Sequence, residues 1–174
     1  PNRDGIKMIK LPSSKDKKDD YYYIVNKKGL LNEANMNSIE FHVWGSTVKK
    51  IDSPDIMVFD LDPDESLNID KVRGGVKDLK KILDELKLKS YLKTSGGKGY
   101  HIVVPIKNKI SWLEFRDIAK NIAKLMENKW PNKYTSNMRM EKRKGKIFID
   151  WVRNTKGATS IAPYSLRARK NAPI

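Results

Sequence analysis

The chain of 174 residues contains no cysteine. Disulfides and thiolate metal sites are therefore excluded, and the composition fits a reducing cytosol. Long apolar runs are also missing, and those present are far too short to cross a bilayer. We see no signal peptide, internal repeat or low-complexity tract, so we expect a soluble, intracellular protein.

Acidic residues are scarce relative to basic ones. The chain has 36 Lys+Arg against 21 Asp+Glu, a formal net charge of +15. This excess favours a polyanionic partner, either nucleic acid or an anionic membrane surface. Because no amphipathic basic helix with an aromatic face stands out, nucleic acid is the preferred partner.

Apolar spacings of three and four residues predict helices. Asn68 is a plausible N-cap for one of them, and Ser111 with Glu114 forms a capping box for another. The predicted helices cover residues 30–36, 69–87 and 111–129.

The remaining apolar segments predict strands around these helices. Residues 1–20 show no apolar period and are expected to be loop or an excised edge. The order of elements predicts an α+β fold with helices on one face of a sheet, and the length fits a single unit. Predicted strands cover 21–25, 39–44, 57–61, 90–94, 101–106, 146–152 and 159–162.

The most informative pattern is the pair Asp60 and Asp62 on an otherwise apolar strand. A strand points residues i and i+2 to one face, and two close carboxylates are unfavourable unless a cation lies between them. Mg²⁺ and Mn²⁺ prefer such oxygen ligands, so the pair predicts a metal site that handles phosphates. The alternative is a cap or turn ahead of Pro63, which explains one aspartate and leaves the other on a buried strand.

A glycine-rich segment, Thr94 to His101, is predicted to form a phosphate cradle. Its glycines, Gly96 and Gly97 among them, let backbone N–H groups converge on an anion, while Lys98 adds charge and Ser95 a hydroxyl. The alternative is a flexible hairpin turn with a solvated lysine. His101 follows the cradle directly, which favours a functional role over a core position.

A third carboxylate, Asp150, ends the apolar strand that starts at Ile147. It could be a helix cap or a partner for Arg153; beside Asp60 and Asp62 it would complete a two-metal clamp for phosphoryl transfer. The basic C-terminal third is interleaved with Trp151 and Tyr164, which suits phosphates and stacked bases, although such a charge run is often only a solvated face.

Arg167 and Arg169 are two residues apart on a segment expected to be strand-like, so both side chains can share a face. We expect that face to carry Asp150, where bidentate arginines would bind phosphate oxygens. The alternative is a general basic surface for DNA.

Taken in order, these motifs resemble the polymerase domain of bacterial DNA ligase D and its stand-alone archaeal relatives, in the archaeo-eukaryotic primase superfamily. The resemblance runs from about Ile39 to Ile174, and it implies that 39–174 forms a single primase-polymerase catalytic core preceded by an N-terminal edge, 1–38. It rests on five segments: residues 40–45 (EFHVWG), 59–63 (FDLDP), 94–101 (TSGGKGYH), 148–151 (FIDW) and 162–169 (APYSLRAR).

The resemblance implies a primase-like core, with an RRM-like antiparallel sheet, flanking helices and a second small α/β layer. It implies that Asp60, Asp62 and Asp150 bind two catalytic ions, Mn²⁺ or Mg²⁺, and that Asp150 joins the ion that activates the primer 3′-hydroxyl. The incoming triphosphate would be held by Ser95, Lys98 and His101, in a nucleotide pocket also lined by His42, Arg143, Arg167 and Arg169.

The implied activity is nucleotide addition, preferentially of ribonucleotides, during gap filling in non-homologous end joining. The implied partners are nucleoside triphosphates, gapped or broken DNA, a DNA ligase and a Ku-type protein, in the cytoplasm at the nucleoid. Relatives have a longer N-terminal region that grips the template and continue beyond the end of this chain, so a trimmed core is expected. Weak candidates for the DNA contacts are Lys10, Lys15, Lys17 and Lys18.

Two other function classes fit part of the pattern. One is a nucleic-acid-binding module that keeps the basic surface and does no chemistry. The other is a phosphatase of the haloacid-dehalogenase type with Asp60 as nucleophile, but nothing in that mechanism requires Asp150 or the glycine-rich segment.

Overall fold

The computed structural model describes residues 3–12, 18–97, 99–107 and 110–171. The chain divides into two compact units, residues 1–41 and 42–174. Among the described residues, no helix is long and apolar enough to span a bilayer.

The first unit is a hairpin with one helix. Strands β1 (Ile6–Pro12) and β2 (Lys18–Ile24) are antiparallel, with Ile6 opposite Ile24. Helix α1 (Lys27–Asn35) begins after Asn26, whose side chain accepts a 3.1 Å hydrogen bond from the Gly29 N–H.

The expectation of loop is wrong for Ile6–Pro12, which forms β1, and for the start of β2. The run Ile6 to Leu11 has an irregular apolar pattern, yet it pairs along its length with the tyrosine-rich β2. Cross-strand pairing, which single-strand periodicity does not report, makes this segment a strand. Of the lysines expected to contact DNA, Lys10 is exposed on β1 and Lys18 begins β2, whereas Lys15 and Lys17 lie outside the described residues.

The second unit contains a five-stranded sheet and a separate two-stranded sheet. The strands of the large sheet follow the order β5-β6-β4-β8-β7 and are antiparallel except for β7, which runs parallel to β8; the small sheet pairs β3 with β9. Their bounds are β3 (His42–Trp44), β4 (Ile56–Pro63), β5 (Tyr91–Thr94), β6 (Tyr100–Pro105), β7 (Tyr134–Thr135), β8 (Ile147–Asp150) and β9 (Thr159–Ile161).

Both long helices form as predicted. Helix α2 (Ile69–Glu85) is capped by Asn68, which accepts from the Lys71 N–H, and α3 (Trp112–Lys129) starts with the Ser111–Glu114 capping box. The two-residue strand β7 was not predicted, because so short a segment has no periodicity to detect.

The core lies between the sheet and these helices. Met57, Phe59 and Leu61 of β4 are fully buried there, in one cluster with residues of α2 and α3. Because side chains alternate along a strand, Asp60 and Asp62 point to the opposite face of the sheet. The helices therefore cover one face, as predicted, and leave the acidic positions on the other.

Candidate active site

Four ionisable side chains lie in one row across the large sheet. Lys93 on β5 pairs with His101 on β6, His101 with Asp60 on β4, and Asp60 with Asp150 on β8. Directly opposite residues share a face and have Cβ atoms about 5 Å apart. The structure thus places Asp150 beside Asp60 on the expected face, although ninety residues separate them.

This row lies along a cleft of about 330 Å³, within the range of small-molecule sites. Three aspartates, three arginines and both histidines of the chain contribute to its lining. The lining residues are His42, Asp60, Leu61, Asp62, Ser95, Gly97, Gly99, His101, Asp150, Arg153, Ser160, Ile161, Arg167 and Arg169.

Arg153 bridges the two facing carboxylates. Its Nη2 lies 3.5 Å from Asp60 Oδ2 and its Nε lies 3.3 Å from Asp150 Oδ2. Burial raises the pKa of the Asp150 carboxyl, while Arg153 and the Val152 N–H oppose that rise. Neighbouring positive charge therefore favours the ionised form of Asp150 against the effect of its burial.

Asp62 has its own cation. Arg143 Nη1 lies 3.3 Å from Asp62 Oδ2, and the Arg143 guanidinium stacks 3.7 Å from the centre of the Phe148 ring. Arg143 thus contacts Asp62, which lines the cleft, but Arg143 itself is not among the lining residues. Within the described ranges, no group of three or more His, Asp or Glu side chains is arranged to hold a metal ion. The metal role of the three aspartates therefore stays a prediction.

His101 is 4 % exposed and faces Asp60, with Nε2 3.4 Å from Asp60 Oδ2. Its Nδ1 is buried and has no hydrogen-bond partner in the part of the chain that the structure describes. A buried polar atom normally has a partner. His101 lines the cleft, and this nitrogen is an unsatisfied buried group beside it.

Lys93 is a cation of this row that sequence analysis missed, although it is not among the lining residues of the cleft. Its ammonium group donates a hydrogen bond to the carbonyl of Ile161, which ties β5 to β9. Burial lowers the pKa of Lys93, and the nearby charge of Asp60 opposes this. Its position two residues before Ser95, on a short strand that enters the glycine-rich loop, was the available signal.

The glycine-rich loop is closed by its own side chains. Ser95 Oγ donates a 2.8 Å hydrogen bond to the Gly99 carbonyl, and Arg167 donates a 2.9 Å hydrogen bond to the Ser95 carbonyl. A Cβ at Gly99 would lie 2.0 Å from the Leu61 carbonyl oxygen, so only glycine fits there. Ser95 therefore shapes the loop, and Lys98, the expected rim cation, lies outside the described residues.

Other residues predicted for the nucleotide pocket lie on the small sheet or in the segment that follows it. His42 on β3 lies opposite Ile161 on β9, and both line the cleft. The segment with Arg167 and Arg169 follows β9 but is not a strand, contrary to expectation, since the Arg169 N–H bonds back to the Arg167 carbonyl in a tight turn. Both arginines nevertheless line the cleft with Asp150.

Asn154 is a positioning residue that the sequence did not reveal. It is 1 % exposed; its Nδ2 donates to the Val58 carbonyl at 2.8 Å, and its Oδ1 accepts from the Val58 N–H at 2.7 Å. These bonds continue the ladder along β4 beyond the end of β8. They hold the 3₁₀ turn Val152–Asn154, and with it Arg153, over the carboxylates.

A family model described as "LigD, primase-polymerase domain" matches residues 2–174. The multifunctional non-homologous end joining protein LigD of Pseudomonas aeruginosa is 38% identical over 147 residues, 84% of this chain and 18% of that protein. The protein of the same name from Mycolicibacterium smegmatis is 34% identical over 156 residues, 88% of this chain and 20% of that protein.

A solved structure has the same fold. The polymerase domain from Mycobacterium tuberculosis Ligase D in complex with DNA matches with a TM-score of 0.87 and 28% identity, over 97% of this chain and 61% of that chain. This chain therefore spans 18% and 20% of the lengths of the two relatives above, and less than two thirds of the solved domain.

Proposed function

The chain belongs to the LigD primase-polymerase domain family, and on that basis we propose that it is a metal-dependent nucleotidyltransferase. It would add nucleotides, preferentially ribonucleotides, to primer 3′ ends during gap filling in non-homologous end joining. The observation that carries this proposal is the row of His101, Asp60 and Asp150, set by strand register beside an arginine-lined cleft.

The donor set suits hard divalent cations. Asp60 and Asp150 face each other with partly buried side chains, and Asp62 lies one pleat along the same strand. All three offer oxygen ligands, and each has a cation within 3.5 Å, which indicates a site that demands positive charge. These residues would hold two ions, Mn²⁺ or Mg²⁺, which when bound neutralise charge on a transferring phosphoryl group.

The glycine-rich loop and the arginines suit the triphosphate. Arg167 and Arg169 approach the loop from the segment after β9, with Arg167 bonded to the Ser95 carbonyl. One guanidinium group can donate hydrogen bonds to two phosphate oxygens at once. The Nδ1 atom of His101 would add a further polar contact. These groups would orient the nucleotide against the carboxylate row.

The charge distribution supports a nucleic-acid partner on the cleft side. Residues 86–111 contain six basic and no acidic residues, and residues 130–174 contain eleven basic and two acidic residues. By contrast, α2 has five basic and four acidic residues, and α3 four and three. The basic segments also supply the loops and strands of the cleft. Gapped or broken DNA is the proposed substrate, with a ligase and a Ku-type protein as proposed partners in the cytoplasm.

Extension of a labelled primer across a short gap, with each nucleoside triphosphate and Mn²⁺ or Mg²⁺, tests this function. Asp60→Ala should reduce extension by at least about a thousandfold, since metal stabilisation of charge is worth several kcal/mol. Its affinity for the same duplex should be unchanged or slightly tighter, because a negative charge is removed. Asp117→Ala, on the exposed surface of α3, is the matched control.

The main alternative is a nucleic-acid-binding module without catalysis. It is favoured if the wild-type chain binds the gapped duplex with salt-sensitive affinity but incorporates no nucleotide with either metal.

A further inference from the structure

The turn after β9 has an unusual residue at its strained position. The Ser165 N–H donates to the Ala162 carbonyl at 3.3 Å, with Pro163 second in the turn and Tyr164 third, at φ +62°. A turn with proline at its second position and positive φ at its third is of type II, where glycine is usual at the third position. A bulky residue in this conformation is a reason to look for function.

Other non-glycine residues with positive φ in the described part of the chain have a local explanation. Asn37 and Lys87 each follow the C-cap of a helix, where the left-handed conformation is common. Asn171 is of a residue type that tolerates it. Tyr164 has neither explanation.

The Tyr164 side chain does not stabilise the fold by packing, because it is 100% exposed. Its position is nevertheless held close to the cleft. Ile161 and Arg167, three residues away on either side, both line the cleft, so the Tyr164 Cα lies within about 11 Å of each of their Cα atoms. Pairing of Ile161 with His42 and the bond from Arg167 to Ser95 hold the two ends of the turn.

Tyr164 is also an aromatic residue of the basic C-terminal third, and its side chain does not pack in the core. The other candidate for base stacking, Trp151, is 8% exposed, donates to the Ser136 carbonyl and has Lys120 over its ring. Trp151 is therefore structural. A fully exposed phenol ring that is followed closely in the sequence by Arg167 and Arg169 offers a flat surface in a positively charged region. Such a surface suits a nucleobase joined to phosphates.

We propose that Tyr164 is a stacking platform for an unpaired base of the nucleic acid that enters the cleft. The proposal rests on the proposed function for its ligand class. The strained turn presents the ring outward, beside a cleft whose arginines are proposed to hold the nucleotide. Stacking accepts any base, so the contact would add affinity with little sequence preference.

The experiment measures binding of a labelled 12-nucleotide oligothymidylate to the full chain by fluorescence anisotropy at several salt concentrations. Tyr164→Ala should weaken binding about tenfold, the typical effect of losing one stacked base. The salt slope should stay unchanged, because no phosphate contact is removed. Tyr164→Phe should bind like wild type. Tyr91→Ala, which removes another exposed tyrosine, on β5 with Lys89 against its ring, should also bind like wild type.

A second measurement does not depend on how the variants fold. Irradiation of the wild-type chain with an oligonucleotide containing 5-iodouracil should give a crosslinked peptide that contains Tyr164. The proposal is overturned if wild type does not bind the oligonucleotide, if the crosslink maps elsewhere, or if Tyr164→Ala binds normally. It is also overturned if Tyr164→Ala lowers the melting temperature and Tyr164→Phe restores it, since the ring would then be structural.

Failure of this inference is distinguishable from failure of the proposed function. A chain that extends primers while Tyr164→Ala binds normally keeps the function and loses the stacking role. A chain that crosslinks through Tyr164 but incorporates no nucleotide keeps the stacking role and loses the polymerase activity.

Discussion

At the scale of single residues, Arg153 stabilises a site in which the carboxylates of Asp60 and Asp150 would otherwise repel each other. Asp60 and Asp150 face each other across adjacent strands, and the Arg153 guanidinium lies within 3.5 Å of an oxygen of each carboxylate. A bound divalent cation would supply the same positive charge. On the proposed function, Arg153 and such a cation would stabilise the carboxylates in the same way, and loss of Arg153 should increase dependence on the cation.

Arg153→Ala should lower stability by about 1 kcal/mol in chelator, a value reduced from that of a buried pair because the Arg153 side chain is 42% exposed. For a chain of this size that is about 2–4 °C in melting temperature. Added Mn²⁺ should raise the melting temperature of the variant more than that of wild type. Arg116→Ala, which breaks an exposed pair with Asp117, is the control. An equal Mn²⁺ shift in all three proteins would contradict this account.

At the scale of elements, α2 meets the sheet through one of two adjacent glycines. A Cβ at Gly75 would lie 3.2 Å from Ile147 Cδ1 and 3.3 Å from Tyr134 Cε1, whereas a Cβ at Gly74 would meet nothing within 4 Å. Gly75 therefore sets how closely the helix approaches β7 and β8, and Gly74 does not.

Gly74→Ala should raise the melting temperature by about 2–4 °C, because alanine favours a helix over glycine by about 1 kcal/mol. Gly75→Ala should give no such gain, since its neighbours would have to move by a few tenths of an ångström. Thermal unfolding followed by circular dichroism measures both. Equal stabilisation by the two substitutions would show that the packing at Gly75 is loose.

The end of α3 is tied to the loop that leads towards Arg143. Glu127 accepts hydrogen bonds from Thr135 Oγ1 at 3.1 Å and from the Ser136 N–H and Oγ at 3.0 and 2.5 Å. Burial acts to raise the pKa of Glu127, but these hydrogen bonds outweigh it and the pKa is lowered.

Because the folded-state pKa of Glu127 is below its unfolded value, its contribution to stability is present above the unfolded pKa and is lost as pH falls through the folded pKa. Glu127→Gln should therefore cost about 1–3 kcal/mol at pH 7. The difference from wild type should shrink below about pH 4. Urea unfolding at a series of pH values measures this, and Glu141→Gln, at an exposed position, should show little difference throughout.

At the scale of the whole molecule, positive charge is concentrated away from the helices. Replacing Lys142 and Lys144 with alanine should lower the salt slope of duplex binding by up to about 0.9 for each phosphate that the variant no longer neutralises. Replacing Lys77 and Lys124, on the helices, removes the same formal charge and should leave the slope unchanged. Similar decreases from both pairs would mean that binding follows net charge alone.

The sequence predicted what local patterns determine. Helix caps at Asn68 and Ser111, and the shared face of Asp60 and Asp62, follow from short spacings and appear in the structure. Local patterns alone could not show that β8 would lie beside β4, since that depends on pairing between distant segments; the approach of Asp150 to Asp60 was implied by the family resemblance. Asn154 was missed as a site residue for this reason, because it acts through β4. Arg153 was named only as a partner for Asp150, a pair that the structure confirms, and its contact with Asp60 depends on the same strand pairing.

The alternation along β4 and β8 has a consequence for folding fidelity. A slip of one residue between these strands would turn Asp60 or Asp150 towards the helices and bring a core side chain such as Ile149 out to water. Burying an unpaired carboxylate costs several kcal/mol, so mispaired forms are strongly disfavoured. The acidic residues thus favour the native register of the two strands. Replacing them with neutral residues should increase the variety of misfolded species during refolding.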